Sequence, residues 1–224
     1  MNSLAQQLTQ VEVFNKLPED ECVALTALAT HRLLQPGAFV CRQGDLWPYI
    51  AFVASGRLRW SMMSAGGQEY TLLTVEAGRL MWGHSLFDGQ PMPASVMAIE
   101  AADMYLWSRE QIAPLLSRYP DTLWDILRLQ TITMRRAREI IYGLAFQPVA
   151  GRLARLLLDR YSQQPHTPTG RDLTLSEIAA MVASSPEVVC RLLHHFQNDG
   201  ILEITRAQIT LHNREALQKL LDGA

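Results

Sequence analysis

Between His31 and Trp107 the chain alternates hydrophobic and polar residues in short runs, which glycine-containing turns separate. Short alternating runs at regular spacing predict an antiparallel sandwich or small barrel. The segment before it, Leu4 to about Ala29, is predicted to be helical, with a helix opening at Pro18. We call this predicted sandwich or barrel the roll. Its predicted turns are Pro36-Gly37, Gly44-Asp45, Ser55-Gly56, Gly66-Gly67 and Gly78.

The segment from Trp82 to Ala94 interrupts the alternation. A connection that crosses the roll is a place where a pocket would be lined, since a small barrel encloses either side chains or one small ligand. His84 is a candidate ligand contact there, or alternatively a hydrogen-bonded structural residue. His31 and His84 stand apart from other potential ligands, so no clustered metal site is predicted.

A long helix is predicted after the roll, from Pro120 over about 23 residues to Gly143. Its hydrophobic positions recur at steps of three and four, and such a stripe on a helix between two domains needs a partner. A parallel coiled coil with a second copy of the chain is expected, and packing on its own roll is the alternative. The residues assigned to the dimer interface are Leu123, Ile126, Leu127, Gln130, Met134, Ala137, Ile141 and Leu144.

The stretch from Leu173 to Ile204 has the pattern of two short helices joined by a tight turn. Thr174 and Glu177 have the spacing of a capping box, so the first helix is predicted to begin there. It is expected to stop near Ala183. Together with the helix that follows, this pattern predicts a helix-turn-helix.

The second helix of this pair is predicted to begin with Ser185 as its cap and Pro186 in its first turn. It should end at Asn198-Asp199-Gly200. Two further apolar runs then flank Thr205-Arg206-Ala207 and predict a two-stranded wing. A helix-turn-helix followed by a wing is more specific for DNA binding than either element alone.

The side chains on the polar face of the second helix are suited to contact bases in the major groove of DNA. Glu187 and Arg191 lie one turn apart near its N-terminal end, with Cys190, His194 and His195 beside them. Arginine can bond guanine O6 and N7, and a carboxylate can accept from a cytosine amino group. The alternative is an ordinary surface ion pair, which contributes little.

Charge alone does not indicate nucleic-acid binding. The formal net charge of the 224 residues is −2, and residues 145–224 hold eight basic and eight acidic side chains. Phosphate contacts would therefore depend on local placement of Arg171, Arg191, Arg206 and the His194-His195 pair.

Cysteine usage and hydropathy favour a protein of the reducing cytoplasm. Cys22, Cys41 and Cys190 are far apart and lack a Cys-x-x-Cys spacing. The first residues lack the pattern of a signal peptide, and no apolar run is long enough to span a membrane. No membrane partner is expected.

The order of these parts resembles the cyclic-AMP receptor protein/FNR family of bacterial transcription regulators over nearly the whole chain. The more specific matches are Leu144-Ala145-Phe146 with Gly151-Arg152-Leu153-Ala154, and residues 173–202. Pro36-Gly37 with Gly44-Asp45, Gly56 and the Gly83 to Gly89 stretch agree with it.

The resemblance implies an α+β fold in three parts. They are an N-terminal antiparallel β-roll like a cyclic-nucleotide-binding jelly roll with N-terminal helices (residues 1–118), a dimerisation helix (119–144) and a C-terminal winged helix-turn-helix (145–224).

The resemblance also assigns the recognition helix. The family pattern S-R-E-x-x-x-R is matched by Ser185, Glu187 and Arg191, which implies that the latter two read a G·C pair in each half-site. Pro186 stands where the family often has arginine, so the half-site is expected to be closer to the FNR type. The full set of candidate DNA-binding residues is Thr174, Ser185, Pro186, Glu187, Cys190, Arg191, His194 and Arg206.

The roll departs from the cyclic-nucleotide receptors at the positions that hold the ligand. His84, Met92 and Pro93 stand where those receptors have the glutamate and the Arg-Ser pair, and Ala137 and Arg138 replace a Thr-Ser pair. A buried cyclic phosphate without its arginine would be uncompensated, so cyclic AMP is not expected as the effector. The candidate pocket residues are Trp60, Tyr70, Trp82, His84, Met92, Ala137 and Arg138.

The effector itself is not identified by the sequence. Three scattered cysteines exclude the iron–sulfur cluster of FNR, which needs four. An apolar or aromatic molecule, haem with His84 as a ligand, or no ligand at all remain open.

The sequence therefore predicts a homodimeric, sequence-specific DNA-binding regulator of a palindromic site, with RNA polymerase as a further partner. The alternative is a small-molecule-binding module that acts through protein contacts. An enzyme is not expected, because the sequence contains no nucleophile–base pair or metal cluster.

Overall fold

The computed structural model describes residues 4–161 and 167–221. The chain divides into two compact units, the first comprising residues 1–67 and 71–133 and the second residues 68–70 and 134–224. The division falls inside the long helix, between Thr133 and Met134, rather than at either end of it.

The first unit contains the roll and the helices around it. Its helices are α1 (Leu4–Leu8), α2 (Glu19–Leu28), α3 (Ser85–Asp88), α4 (Arg109–Arg118) and the start of α5 (Pro120–Phe146). Its strands are β1 (Thr30–Leu34), β2 (Phe39–Cys41), β3 (Tyr49–Ser55), β4 (Arg57–Met63), β5 (Glu69–Glu76), β6 (Arg79–Trp82), β7 (Ser95–Ala98) and β8 (Ala102–Ser108). The first two residues of β5 belong to the second unit.

The strands form two antiparallel sheets with the orders β1-β8-β3-β6 and β2-β7-β4-β5. This arrangement confirms the predicted roll. Gly83 follows β6 where the backbone leaves the sheet, and an added Cβ there would lie 2.3 Å from the carbonyl oxygen of Trp47. A larger residue would therefore force the Trp82 to Ala94 connection away from β3.

Around β3 both faces of the first sheet are buried, and alternate residues of this strand enter different cores. In β3, Ala51 and Val53 join the interior of the roll, together with Met92. Ile50 and Phe52 point into a second core, built on the N-terminal helices and α4. Burial on both faces explains the nearly continuous apolar run of β3.

The N-terminal segment is less helical than predicted. Residues 9–18 between α1 and α2 form turns, and Val11, Val13 and Phe14 are buried there. These side chains pack into the core of the N-terminal helices, and this packing prevails over local helix propensity. Helix α2 begins directly after Pro18, where the sequence predicted a helix opening.

Two differences concern the helices around residue 120. Helix α4 was not predicted, although Ser108 and Gln111 form a capping box at its start. Helix α5 extends three residues past Gly143, because one glycine costs a helix only about 1 kcal/mol. It ends at Phe146, two residues before Pro148, where the proline restricts the backbone.

The second unit contains the end of α5 and the predicted helix-turn-helix with its wing. Its other helices are α6 (Val149–Tyr161), α7 (Leu175–Met181), α8 (Pro186–Asn198) and α9 (Arg214–Leu221), and its strands are β9 (Thr169–Gly170), β10 (Leu202–Ile204) and β11 (Gln208–Leu211). The three strands pair antiparallel in the order β10-β11-β9. Gly151 allows α6 to approach α9, since a Cβ there would lie 2.8 Å from the Leu220 carbonyl oxygen.

Candidate nucleic-acid interface

Local hydrogen bonds define the starts of α7 and α8 as the sequence predicted. The Thr174 hydroxyl accepts from the Glu177 amide at 3.2 Å, and the Glu177 carboxylate accepts from the Thr174 amide at 2.8 Å. The Ser185 hydroxyl accepts from the Val188 amide at 3.4 Å, and Pro186 is the first residue of α8. These caps confirm both predicted helix starts.

The turn between the two helices is tight. Helix α7 ends at Met181, slightly before the predicted Ala183, and Ala183 has a φ of 51°. The Arg152 guanidinium donates to the carbonyl oxygens of Val182 (2.8 Å) and Ala183 (3.3 Å). Carbonyl groups at the end of α7 thus find a charged partner, which holds the turn in place.

Helix α8 presents the predicted polar face. Its buried side is Val189, Leu193 and Phe196, which join the core of the second unit. Glu187 and Arg191 are exposed on the opposite side. The other predicted contacts on this helix are the exposed His194 and the half-buried Cys190 and Pro186.

Glu187 is held in its ionised form. A hydrogen bond with the Ser185 hydroxyl, a hydrogen bond from the backbone amide of Glu187 itself and the nearby charge of Arg191 together lower the pKa of its carboxyl. An ionised carboxylate is purely a hydrogen-bond acceptor. Glu187 can therefore accept from a base amino group, and Arg191 one turn later provides donors.

The wing brings two further predicted residues together. Arg206 is exposed in the turn between β10 and β11, and the Arg171 amide donates to the Ala207 carbonyl oxygen at 2.7 Å. An opening of about 430 Å³ lies beside this turn. Its lining includes Arg206, Arg171 and Thr174, so two cations lie near the start of α7.

The candidate effector residues of the roll separate into two places. The rings of Trp60 and His84 meet edge to face with centroids 5.4 Å apart, and Trp60 and Met92 are buried in the roll interior. Trp82 does not join them. Its side chain enters the core of the N-terminal helices and its ring lies 5.9 Å from that of Phe87.

The prediction that Trp82 lines a pocket in the roll is therefore wrong. Alternate residues of β6 face opposite sides of the sheet, and Met81 takes the inner position. The other candidate pocket residues lie in the second unit. Tyr70 is half-buried, and Ala137 and Arg138 are exposed on α5.

The predicted dimer stripe is exposed, with one exception. Ile126 is only 3 % exposed and packs into the core of the first unit, so it is not free to contact a second copy. Gln130 is half-buried. The remaining exposed positions are Leu123, Leu127, Met134, Ala137, Ile141 and Leu144.

The part of the chain that the structure describes contains neither a clustered metal site nor a membrane-spanning helix. No group of three or more His, Cys, Asp or Glu side chains is placed to hold a metal ion. No helix there is long and apolar enough to cross a membrane.

Comparison with known proteins agrees with this architecture. The cyclic nucleotide-binding domain matches residues 31–119, and the Crp-like helix-turn-helix domain matches residues 151–220. The chain is 28 % identical to the cyclic AMP receptor protein of Thermus thermophilus over 94 % of this chain and 97 % of that protein. It is 26 % identical to the fumarate and nitrate reduction regulatory protein of Vibrio cholerae, over 84 % of this chain and 76 % of that one.

A solved structure, the catabolite activator protein of Thermus thermophilus, covers 95 % of this chain and 99 % of its own with a TM-score of 0.55 and 27 % identity. A nucleotide-binding type of roll joined to a winged helix-turn-helix defines a DNA-binding transcription regulator, and the relatives named above are regulators rather than enzymes. The chain belongs to the cyclic-AMP receptor protein/FNR family, as its sequence indicated.

Proposed function

We propose that this regulator is a homodimer that reads a palindromic DNA site with Glu187 and Arg191 and responds to an effector other than cyclic AMP. The observation that carries the DNA part is the recognition face of α8. There the ionised Glu187 and Arg191 are exposed one helical turn apart, near the N-terminal end of α8. A symmetric dimer presents two identical recognition helices, so its DNA site should be a palindrome. The two half-sites should lie one helical turn of DNA apart, about 34 Å.

The spacing of the α5 stripe supports the dimer. Leu123, Leu127, Gln130, Met134, Ala137, Ile141 and Leu144 follow one another at alternating steps of four and three, which is a heptad repeat. Six of these seven side chains are exposed in the single chain. A parallel pairing of two α5 helices would cover them.

The ligand chemistry of the roll supports an effector other than cyclic AMP. The Thermus relative is named for cyclic AMP, but positions 84, 92 and 93 of this chain hold His, Met and Pro. Met92 is buried in the roll interior and offers no charge to a phosphate. The Trp60 and Met92 surroundings suit an apolar or aromatic effector, or haem held by His84, and an absorbance scan of the purified protein tests for haem.

The effector would act by favouring one arrangement of the dimer helices, and so one spacing of the two reading heads. RNA polymerase is the proposed protein partner and the cytoplasm the proposed location. The segment 162–172, a polar stretch with two prolines and a glycine, is the proposed polymerase contact, and its first five residues lie outside the described residues.

Selection of bound duplexes from a random DNA library by the full-length protein tests the function. The expected product is a palindrome whose half-sites are one helical turn apart and contain a strong G·C pair. Calorimetry with cyclic AMP belongs to the same test, and a stoichiometric micromolar complex would contradict the effector proposal. Failure to enrich any sequence, with the protein folded, would favour a module that acts through protein contacts.

A further inference from the structure

A groove of about 680 Å³ lies between the second half of α5 and α6, within the second unit. Arg135 and Arg138 of α5 and Arg155 of α6 line it, together with Glu139. Its volume is within the range of small-molecule sites, about 300–1,000 Å³. Of the candidate effector residues only Arg138 lines it, whereas Trp60, His84 and Met92 belong to the roll.

The charges of this groove are not balanced by the protein. Within the described residues, the side chains of Arg135, Arg138 and Arg155 make no hydrogen bond or ion pair, and neither does that of Glu139. Other arginines of α6 are occupied, since Arg152 bonds backbone carbonyl groups and Arg160 pairs with Asp172. Three cations and one carboxylate leave the groove with a formal charge of +2, which attracts a polyvalent anion.

The remaining lining is apolar and unusually exposed. Tyr142 and Phe146 are 56 % and 74 % exposed, and the centroids of their rings lie 5.1 Å apart. Ile141 also lines the groove, but it belongs to the proposed dimer seam, which would cover it. Aromatic faces next to guanidinium groups can stack on a planar ring. A solvated phosphate backbone would gain nothing from these side chains, so the lining favours a small molecule over DNA.

The proposed coiled coil does not neutralise Arg138, and this step rests on that dimer. In the heptad of α5, Arg138 occupies a position that flanks the seam. In a parallel pair it would face the flanking position five residues earlier on the other helix, which is Thr133. The seam thus supplies no carboxylate to Arg138.

We propose that the α5–α6 groove binds a small organic polyanion that carries a planar ring, such as a nucleotide, as a second ligand site of this regulator. The arginines bind the phosphate groups. The ring lies against Tyr142 and Phe146. Because α5 also carries the proposed dimer seam, occupancy of this site would act on the same helix as an effector in the roll.

Isothermal titration calorimetry of the full-length protein without magnesium tests the site, with ADP, pyrophosphate and adenosine as probes. ADP is expected to bind once per subunit with a dissociation constant below about 1 mM, pyrophosphate more weakly and adenosine undetectably. The Arg138→Gln/Arg155→Gln double variant should weaken ADP binding at least about 10-fold, since each charge-assisted contact contributes substantially. Arg136→Gln, on the same helix outside the lining, is the matched control.

An unchanged ADP affinity in the double variant overturns the proposal. So does the absence of ADP binding to the parent protein at ADP concentrations well above about 1 mM. Equal binding of pyrophosphate and ADP removes the ring from the proposed ligand. A gel shift with the selected DNA keeps the two proposals apart. If the parent protein binds no ADP and the double variant loses DNA affinity, the arginines are phosphate-backbone contacts. If the parent protein binds ADP but selects no DNA, the groove proposal holds and the DNA proposal fails.

Discussion

The Arg152 Nε donates a hydrogen bond to the carbonyl oxygen of Val182 at 2.8 Å, although thirty positions separate the two residues in the chain. The same guanidinium donates to the Gln147 carbonyl oxygen at 2.8 Å. One side chain therefore joins the backbone just after α5 to the turn that sets the angle of the recognition helix.

Replacing Arg152 with methionine should lower the free energy of unfolding of the second unit by about 1.5–3 kcal/mol. The substitution keeps much of the apolar stem but leaves backbone carbonyl groups without their charged donor. Urea denaturation followed by circular dichroism measures the change. Arg155→Met on the same helix is the control, and it should change stability by less than about 0.5 kcal/mol. Equal losses in the two variants would show that the bonds to the turn contribute nothing.

Ala183→Gly should raise the free energy of unfolding by about 0.5–1 kcal/mol. Alanine at a φ of 51° is strained, and glycine removes most of that strain at some cost in chain entropy. Ala180→Gly is the control of opposite sign, because Ala180 is buried in regular α7 helix and the substitution there should destabilise. Thermal unfolding of both variants measures the difference, and two destabilised variants would contradict the prediction.

Leu127 and Ile126 are neighbours in the chain with opposite expected roles. Leu127→Glu should convert the proposed dimer into folded monomers, because it places a charge in the proposed seam. Ile126→Ala should leave the dimer intact but lower the free energy of unfolding by about 2–5 kcal/mol, through a cavity in the core of the first unit. Sedimentation and denaturation separate the two effects. A dimer that survives Leu127→Glu would exclude the α5 seam.

Arg191→Ala should weaken binding to the selected DNA by about 1–3 kcal/mol while affecting random DNA much less, since a base contact is lost rather than a phosphate contact. Competition gel shifts at fixed salt measure both affinities. Arg214→Ala, an exposed arginine of α9, is the control and should change neither. If Arg191→Ala weakens both DNAs equally, Arg191 contacts only the backbone.

The cysteine thiols should differ in reactivity. Burial raises the pKa of the Cys41 thiol from 9.0 to about 11, and burial also raises that of Cys22, whereas Cys190 is only half-buried. Iodoacetamide at about pH 8 should therefore modify Cys190 first, because the thiolate is the reactive form. Mass spectrometry identifies the site. Equal labelling of Cys41 and Cys190 in the folded protein, with all three equal in denaturant, would contradict this order.

The same shift predicts a pH dependence of stability. The unfolded Cys41 thiol loses its proton near pH 9.0, and the folded one only near pH 11. The native state therefore holds more protons in this window, and the free energy of unfolding should fall as the pH rises through it. Cys41→Ala, compared with the parent chain by urea denaturation across that range, should have a shallower fall.

Signals close together in the chain predicted the DNA-binding half of the protein well. Thr174 with Glu177, and Ser185 with Pro186, are helix starts whose bonds form within one turn, so they do not depend on distant contacts. Ser108 with Gln111 carried the same signal for α4, which could have been found in this way. The heptad spacing of α5 was equally visible in the sequence.

What the sequence could not decide was which face of an element meets which core. Met81 and Trp82 are adjacent and alternate, yet both are buried, Met81 in the core of the roll and Trp82 in that of the N-terminal helices. The alternation alone therefore could not show that Trp82 faces the N-terminal helices. Likewise, the steps of three and four along α5 placed Ile126 beside the seam, but its packing in the core of the first unit removed it from that surface.

By itself, the sequence determined the order of parts, the two capped helices and the exposed Glu187 and Arg191, because these depend on local bonding and on periodicity. Only the tertiary structure decided which partner Arg152 would have and that Arg155 would meet Arg135 and Arg138 in one groove. The physical reason is that these arrangements need separate helices to pack first. A sequence pattern records which faces are apolar, whereas packing decides what those faces meet.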